Sequence, residues 1–155
     1  MVSVQNLEFE LQNLFKEKKF SKIIFEITTK TKENERTSGL FVLLGISRIS
    51  LNRKSKDQVE QAVSDFKKGY FKELNSENSL NALINLALAS VILSDFENTN
   101  VDFDEIKNFY KSSPESFQNK RPINIAMTTI YSRLNDFKGM VYHLKKVIKS
   151  GDFIP

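Results

Sequence analysis

The sequence predicts an all-α fold, a right-handed superhelix (solenoid) of about four helix-turn-helix repeats. Apolar residues recur at steps of three and four along most of the chain, the spacing of one face of a helix. Five Gly and three Pro in 155 residues are too few for a turn-rich all-β chain. The apolar stripes are also too broad for one helix pair to bury, so each pair requires a neighbouring pair.

The hairpin between Tyr131 and Ile148 is the clearest of these pairs. One helix is predicted to end at Leu134, and Asn135-Asp136 form the turn to the next. The apolar residues of this second helix share one face at about 3.6 residues per turn, and we expect them to form its inward stripe. They are Phe137, Met140, Val141, Leu144, Val147 and Ile148.

Four such repeats are predicted, at about residues 4–37, 39–78, 79–118 and 121–150, within a single domain covering residues 1–155. In the second repeat, Asp57 is the expected N-cap, with Glu60 completing a capping box. Asp102 or Asp104 is expected to cap the second helix of the third repeat. The stripe predicted to face inward after Asp57 comprises Val59, Ala62, Val63, Phe66, Tyr70 and Phe71.

The second helices of the repeats align on Ile23, Ala62, Ile106 and Met140, at intervals of 39, 44 and 34 residues. A helix-turn-helix unit that recurs at about 34 residues has the spacing of the tetratricopeptide repeat.

Local patterns resemble the same family. Ala62-Val63, Phe66, Gly69 and Tyr70 follow the order of small and aromatic residues of its second helix, and Leu44-Gly45 and Leu86-Ala87 are similar to the large-small pair of its first helix. The chain departs from the family at Ile23 and Lys30, where small residues are usual, at the bulky Met140, and in its longer middle repeats. A non-repeating helical bundle is the alternative.

The resemblance implies a concave wall lined by the first helix of each repeat. Such a groove suits an extended peptide or an amphipathic helix of a protein partner. The alternative is that Val42, Leu43 and Ile46 only pack against a neighbouring segment. Of the residues that clamp a C-terminal carboxylate in some family members, only Asn85 has a counterpart, so this mode is not expected. The residues predicted to line the groove are Gln12, Lys16, Leu43, Ile46, Asn81, Asn85, Leu88, Thr129 and Arg133.

The sequence offers no catalytic constellation, and we expect neither catalytic residues nor a metal site nor a cofactor. The chain has no Cys, and its one histidine, His143, is expected to have a structural role, facing solvent or an adjoining helix. No Gly-rich phosphate loop is present. Four Phe at helical spacing are expected in the core rather than on a stacking platform: Phe9, Phe15, Phe20 and Phe25.

The net charge is +4, from 23 basic and 19 acidic residues that are interspersed along the chain. The basic clusters at residues 16–22, 53–56 and 145–146 are interpreted as solvated turns and a helix end, so no nucleic-acid partner is expected. The longest apolar run, residues 40–46, is far short of the about 20 residues of a membrane span. A soluble, cytoplasmic protein without membrane contact is predicted.

The predicted function is therefore a non-catalytic protein-protein interaction scaffold. A first alternative is the N-terminal repeat region of a larger transferase-type enzyme, since the chain stops at Pro155 where another connection would begin. A second is self-association (a homo-oligomer) through the C-terminal helix, because a solenoid end without a polar cap would expose Val141 and Val147.

Overall fold

The computed structural model describes residues 4–150, and within that range the chain is helical and contains no strand. No helix in this range is both long enough and apolar enough to cross a lipid bilayer. A short 3₁₀ turn, Glu33–Glu35, lies between the second and third helices. The α-helices are α1 Val4–Lys16, α2 Phe20–Lys30, α3 Ser38–Asn52, α4 Lys56–Lys72, α5 Glu77–Ser94, α6 Phe103–Ser112, α7 Glu115–Gln118, α8 Arg121–Arg133 and α9 Phe137–Lys149.

Helix starts follow local chemistry, with one correction. Ser55, not Asp57, caps α4, because its hydroxyl accepts a hydrogen bond from the backbone N–H of Gln58. Of the two candidates for the cap of α6, Asp102 is the one observed, and the turn predicted at Asn135-Asp136 is confirmed. Asn135 has a φ of 55°, and Asp136 then accepts from the N–H of Gly139 at 3.1 Å. Asn tolerates this left-handed conformation, which makes the predicted turn tight.

The chain divides into two compact units, Met1–Ala82 (unit 1) and Leu83–Pro155 (unit 2). In unit 1, α3 and α4 pack closely where Gly45 meets the ring of Phe66. Gly69 of α4 likewise lies against Phe41. The core of the first three helices is formed by buried aliphatic side chains: Leu7, Leu11, Ile23, Ile27, Leu40 and Leu44.

A buried ion pair also joins α3 to α4. Arg48 Nε donates to Asp65 Oδ2 at 2.8 Å, and the Asp65 side chain is 9% exposed. Burial raises the pKa of Asp65, and the neighbouring Arg48 opposes this shift without cancelling it. The pair is partly desolvated, so the cost of burying the two charges offsets much of their attraction.

In unit 2, α8 and α9 form a hairpin in which Gly139 lies against the ring of Tyr131. The buried side chains of the unit come from α5 to α9, and no apolar position of α9 other than Val147 falls below one-tenth exposure. The largest of these buried side chains are Leu83, Leu86, Ile123, Met127, Ile130 and His143.

The predicted inward stripe of α9 is therefore wrong in large part. Phe137 is 74% exposed and Ile148 is 66% exposed, while His143 and Val147 face inward. The inward side of α9 is instead occupied by a polar network that satisfies His143. Three aromatic residues that were predicted to face inward are also exposed, because each lies on the solvent side of its helix. They are Phe71 of the predicted α4 stripe, and Phe9 and Phe25, which were expected in the core.

Candidate functional site

Five of the predicted groove residues lie in unit 1. Gln12 and Lys16 are exposed on α1, and Asn81 is exposed on α5. Leu43 and Ile46 are half-buried on α3, and Leu43 packs against the aliphatic core of the first three helices. The alternative that Leu43 packs against a neighbouring segment is thus the better description of that residue.

The other four lie in unit 2. Asn85 is half-buried, and Leu88 is 40% exposed on α5. Thr129, half-buried on α8, donates its hydroxyl to the carbonyl of Ile125 at 3.1 Å. Because the nine residues divide between the two units, a groove that runs along all of them stays a prediction.

Arg133, the last of the four, has a specific partner that the sequence analysis did not identify. Its guanidinium binds Asp95 in a bidentate arrangement, with N–O distances of 2.7 and 3.1 Å. Asp95 directly follows α5, and Arg133 ends α8. The bridge links the C-terminal ends of the first helices of two successive predicted repeats, although both side chains are about half exposed and it contributes little to stability.

The most organised polar site of unit 2 surrounds His143, which is 2% exposed. Of the two expected positions, facing solvent or facing an adjoining helix, the structure shows the second. His143 Nδ1 lies 2.7 Å from Oδ1 of Asn124 on α8. Its ring stacks on Tyr131 at 5.3 Å between centroids and meets Tyr110 edge-on at 5.0 Å.

Asn124 determines which nitrogen of His143 carries the proton. The Asn124 Nδ2 donates to the carbonyls of Gln118 and Lys120, at 2.7 and 2.6 Å. Its Oδ1 must then face His143 as an acceptor, so Nδ1 of His143 is the protonated nitrogen. Asn124 itself is fully buried, and every polar atom of its side chain has a partner.

A lysine closes this cluster from the side of α9. Lys146 Nζ donates to the Tyr110 hydroxyl at 3.1 Å and lies 4.8 Å from the centroid of the Tyr142 ring. Burial lowers the pKa of Lys146, but contacts with the hydroxyl groups of Tyr110 and Tyr142 outweigh it and leave the pKa above its ordinary value. Burial raises the pKa of Tyr110 despite the nearby ammonium group.

These contacts connect three helices: Tyr110 lies on α6, Asn124 on α8, and His143 and Lys146 on α9. We therefore interpret the cluster as structural. Asn124 was missed by the sequence analysis, although it lies on the side of α8 that bears Met127. A polar residue at such a position signals a buried hydrogen-bond network. Within residues 4–150, no group of three or more His, Asp or Glu side chains is arranged to hold a metal ion.

Comparisons of the chain with protein-family models, with curated proteins and with solved structures find no match. The resemblance to the tetratricopeptide repeat therefore stays a prediction.

His143 gives a testable pH dependence. Burial, and then the charge of Lys146, lowers its pKa from 6.5 to about 4. Above pH 6.5 the ring is neutral in both the folded and the unfolded chain, so it contributes no pH dependence there. Between pH 6.5 and about 4 the imidazole takes up a proton in the unfolded chain but not in the folded chain. We therefore expect the free energy of unfolding to fall by about 2–3 kcal/mol as the pH is lowered across this window.

Urea unfolding of the wild type and of His143→Gln at closely spaced pH values between 7 and 4 measures this loss. Because the chain has one histidine, the difference in slope between the two proteins isolates it from the titration of carboxylates. Parallel slopes would contradict the neutral, buried state of His143.

Proposed function

We propose that the chain is a non-catalytic, cytoplasmic helical-repeat scaffold whose stacked hairpins bind a peptide or a helix of a protein partner. Two hairpins are closely packed, with the glycine on the first helix of α3–α4 and on the second helix of α8–α9. In α3–α4, Gly45 lies against the ring of Phe66, and in α8–α9, Gly139 lies against the ring of Tyr131. Each pair is thus closed by a glycine under an aromatic ring, which lets the two helix backbones approach closely.

The bridge between Asp95 and Arg133 is the observation that carries this proposal. It joins the matching ends of α5 and α8, as expected if first helices of successive repeats run side by side. Leu88 lies two turns before Asp95, and Ile125 lies about two turns before Arg133. With α5 and α8 side by side, Leu88 and Ile125 form one exposed apolar area.

Leu88 and Ile125 are exposed at 40% and 43%. An apolar area of this kind, with Thr129 and Arg133 at its border, suits a partner that places apolar side chains at regular intervals. Both an extended peptide and an amphipathic helix meet this requirement. The right-handed superhelix is part of the same proposal, because only successive stacking extends the area into a groove.

A peptide-array screen followed by titration of the binding peptides tests the groove. Leu88→Asp is expected to weaken binding by a factor of at least about ten, because it places a charge where an apolar side chain must dock. Leu74→Asp is the matched control, since Leu74 is 55% exposed and lies in the turn after α4, outside the set of predicted groove residues. Equal binding by both variants, or the lack of any binding peptide, would contradict the proposal.

A further inference from the structure

A second apolar surface lies on α9, apart from every residue of the predicted groove. Four side chains on one face of this helix are open, and together they are called the α9 stripe. Their spacing of four, three and four residues places them in line along the helix. They are Phe137, Val141, Leu144 and Ile148, with 74%, 48%, 41% and 66% of their surface exposed.

A row of lysines follows one edge of the α9 stripe. Lys138, Lys145 and Lys149 are exposed, and their positions fall together on the helix, about a quarter turn from the stripe. No acidic residue occurs in α9. A shallow cleft of about 420 Å³ runs between the two features and is lined by Phe137, Lys138, Val141, Tyr142 and Lys145.

The other edge of the α9 stripe turns into the fold. Met140 is half-buried there and Val147 is buried, so α9 itself carries no lysine on that side. A ligand of this surface therefore meets apolar side chains along its centre and the lysines of α9 along one edge.

From this one-sided arrangement we propose that α9 binds an acidic amphipathic helix of a protein partner. The apolar face of that helix covers the α9 stripe, and its Asp and Glu residues lie against Lys138, Lys145 and Lys149. A second copy of this chain in antiparallel orientation fits less well, because two such α9 helices would place their lysine rows opposite each other, and in neither orientation does α9 offer an acidic partner for them. A lipid surface favours cations on both sides of an apolar face, and α9 has them on one.

Three synthetic helical peptides with one shared apolar face test this proposal against the full chain. Their edge positions carry Glu, Gln or Lys, and their affinities are measured by fluorescence anisotropy. The Glu peptide is expected to bind at least about tenfold more tightly than the Gln peptide, and the Lys peptide least tightly.

Charge reversal supplies the second arm. Lys138→Glu/Lys145→Glu is expected to reverse the preference, so that the Lys peptide binds best. The control Lys111→Glu/Lys120→Glu changes two exposed lysines outside α9 by the same net charge and should leave the preference intact. Leu88→Asp should also leave it intact, which separates this surface from the groove.

Equal affinities for the three peptides, or no measurable binding by any, would overturn the proposal. Binding only to phosphatidylserine vesicles would assign the α9 stripe to a membrane instead. A dimer in light scattering that Val141→Asp abolishes, with no peptide bound, would assign it to a second copy of this chain.

Discussion

Gly45→Ala is expected to lower the free energy of unfolding by about 2–3 kcal/mol. A Cβ at this position would lie 2.6–2.9 Å from three ring carbons of Phe66, closer than carbon atoms can approach. Phe66 is 1% exposed, so its ring has no open space into which it could move. Relief therefore requires α3 and α4 to separate, which disrupts the packing around them.

Gly39→Ala is the matched control on the same helix. An added Cβ there meets the amide of Asn78 at 3.3 Å, the end of a flexible side chain that can shift. Replacing Gly by Ala in a helix otherwise favours folding by up to about 1 kcal/mol, so this variant should be neutral or more stable. Urea denaturation of both proteins measures the contrast.

The double variant Gly45→Ala/Phe66→Leu identifies the cause. If the Cβ clashes with the ring, shortening the ring should recover at least about 1 kcal/mol relative to the sum of the two single changes. Strict additivity would contradict the assignment of the cost to this contact.

Asn124→Ala is expected to destabilise the chain by about 2–4 kcal/mol, the other large effect. The change removes the donor that serves the carbonyls of Gln118 and Lys120, and it removes the acceptor for Nδ1 of His143. Asn124 is fully buried, so water does not readily replace these partners.

Thr128→Ala, one turn further along α8, provides the control. Thr128 is half-buried and its hydroxyl donates to the backbone carbonyl of Asn124 within the same helix, so its loss should cost less than about 1 kcal/mol. Thermal and urea unfolding compare the two variants. A stable Asn124→Ala protein would show that the network around His143 contributes little.

Most helices of the described chain could be predicted from the sequence because their signals are local. Asn135-Asp136 ends α8 and starts α9 through a left-handed residue and a capping carboxylate, both within one turn. The choice of Asp57 as a cap was wrong because Ser55 competes for the same role two residues earlier. A local signal places a helix boundary to within a residue or two, but it does not decide which of two nearby residues is the N-cap.

The candidate sites were less predictable. Leu88 could be named from its position on an apolar first helix, but the pairing of Arg133 with Asp95 joins residues 38 positions apart. Nothing in the spacing of either residue indicates this bridge. Asn124 and His143 likewise meet across two helices, 19 positions apart.

By itself, the sequence determined that α9 is a helix with its apolar residues on one face. Only the tertiary structure decided that His143 faces inward and Phe137 outward. Helical periodicity depends on the backbone alone, whereas the face of a helix that becomes buried depends on the elements that pack against it. Here Asn124 and the surrounding tyrosines satisfy and enclose the imidazole, so a polar side chain takes the buried position while the α9 stripe remains open.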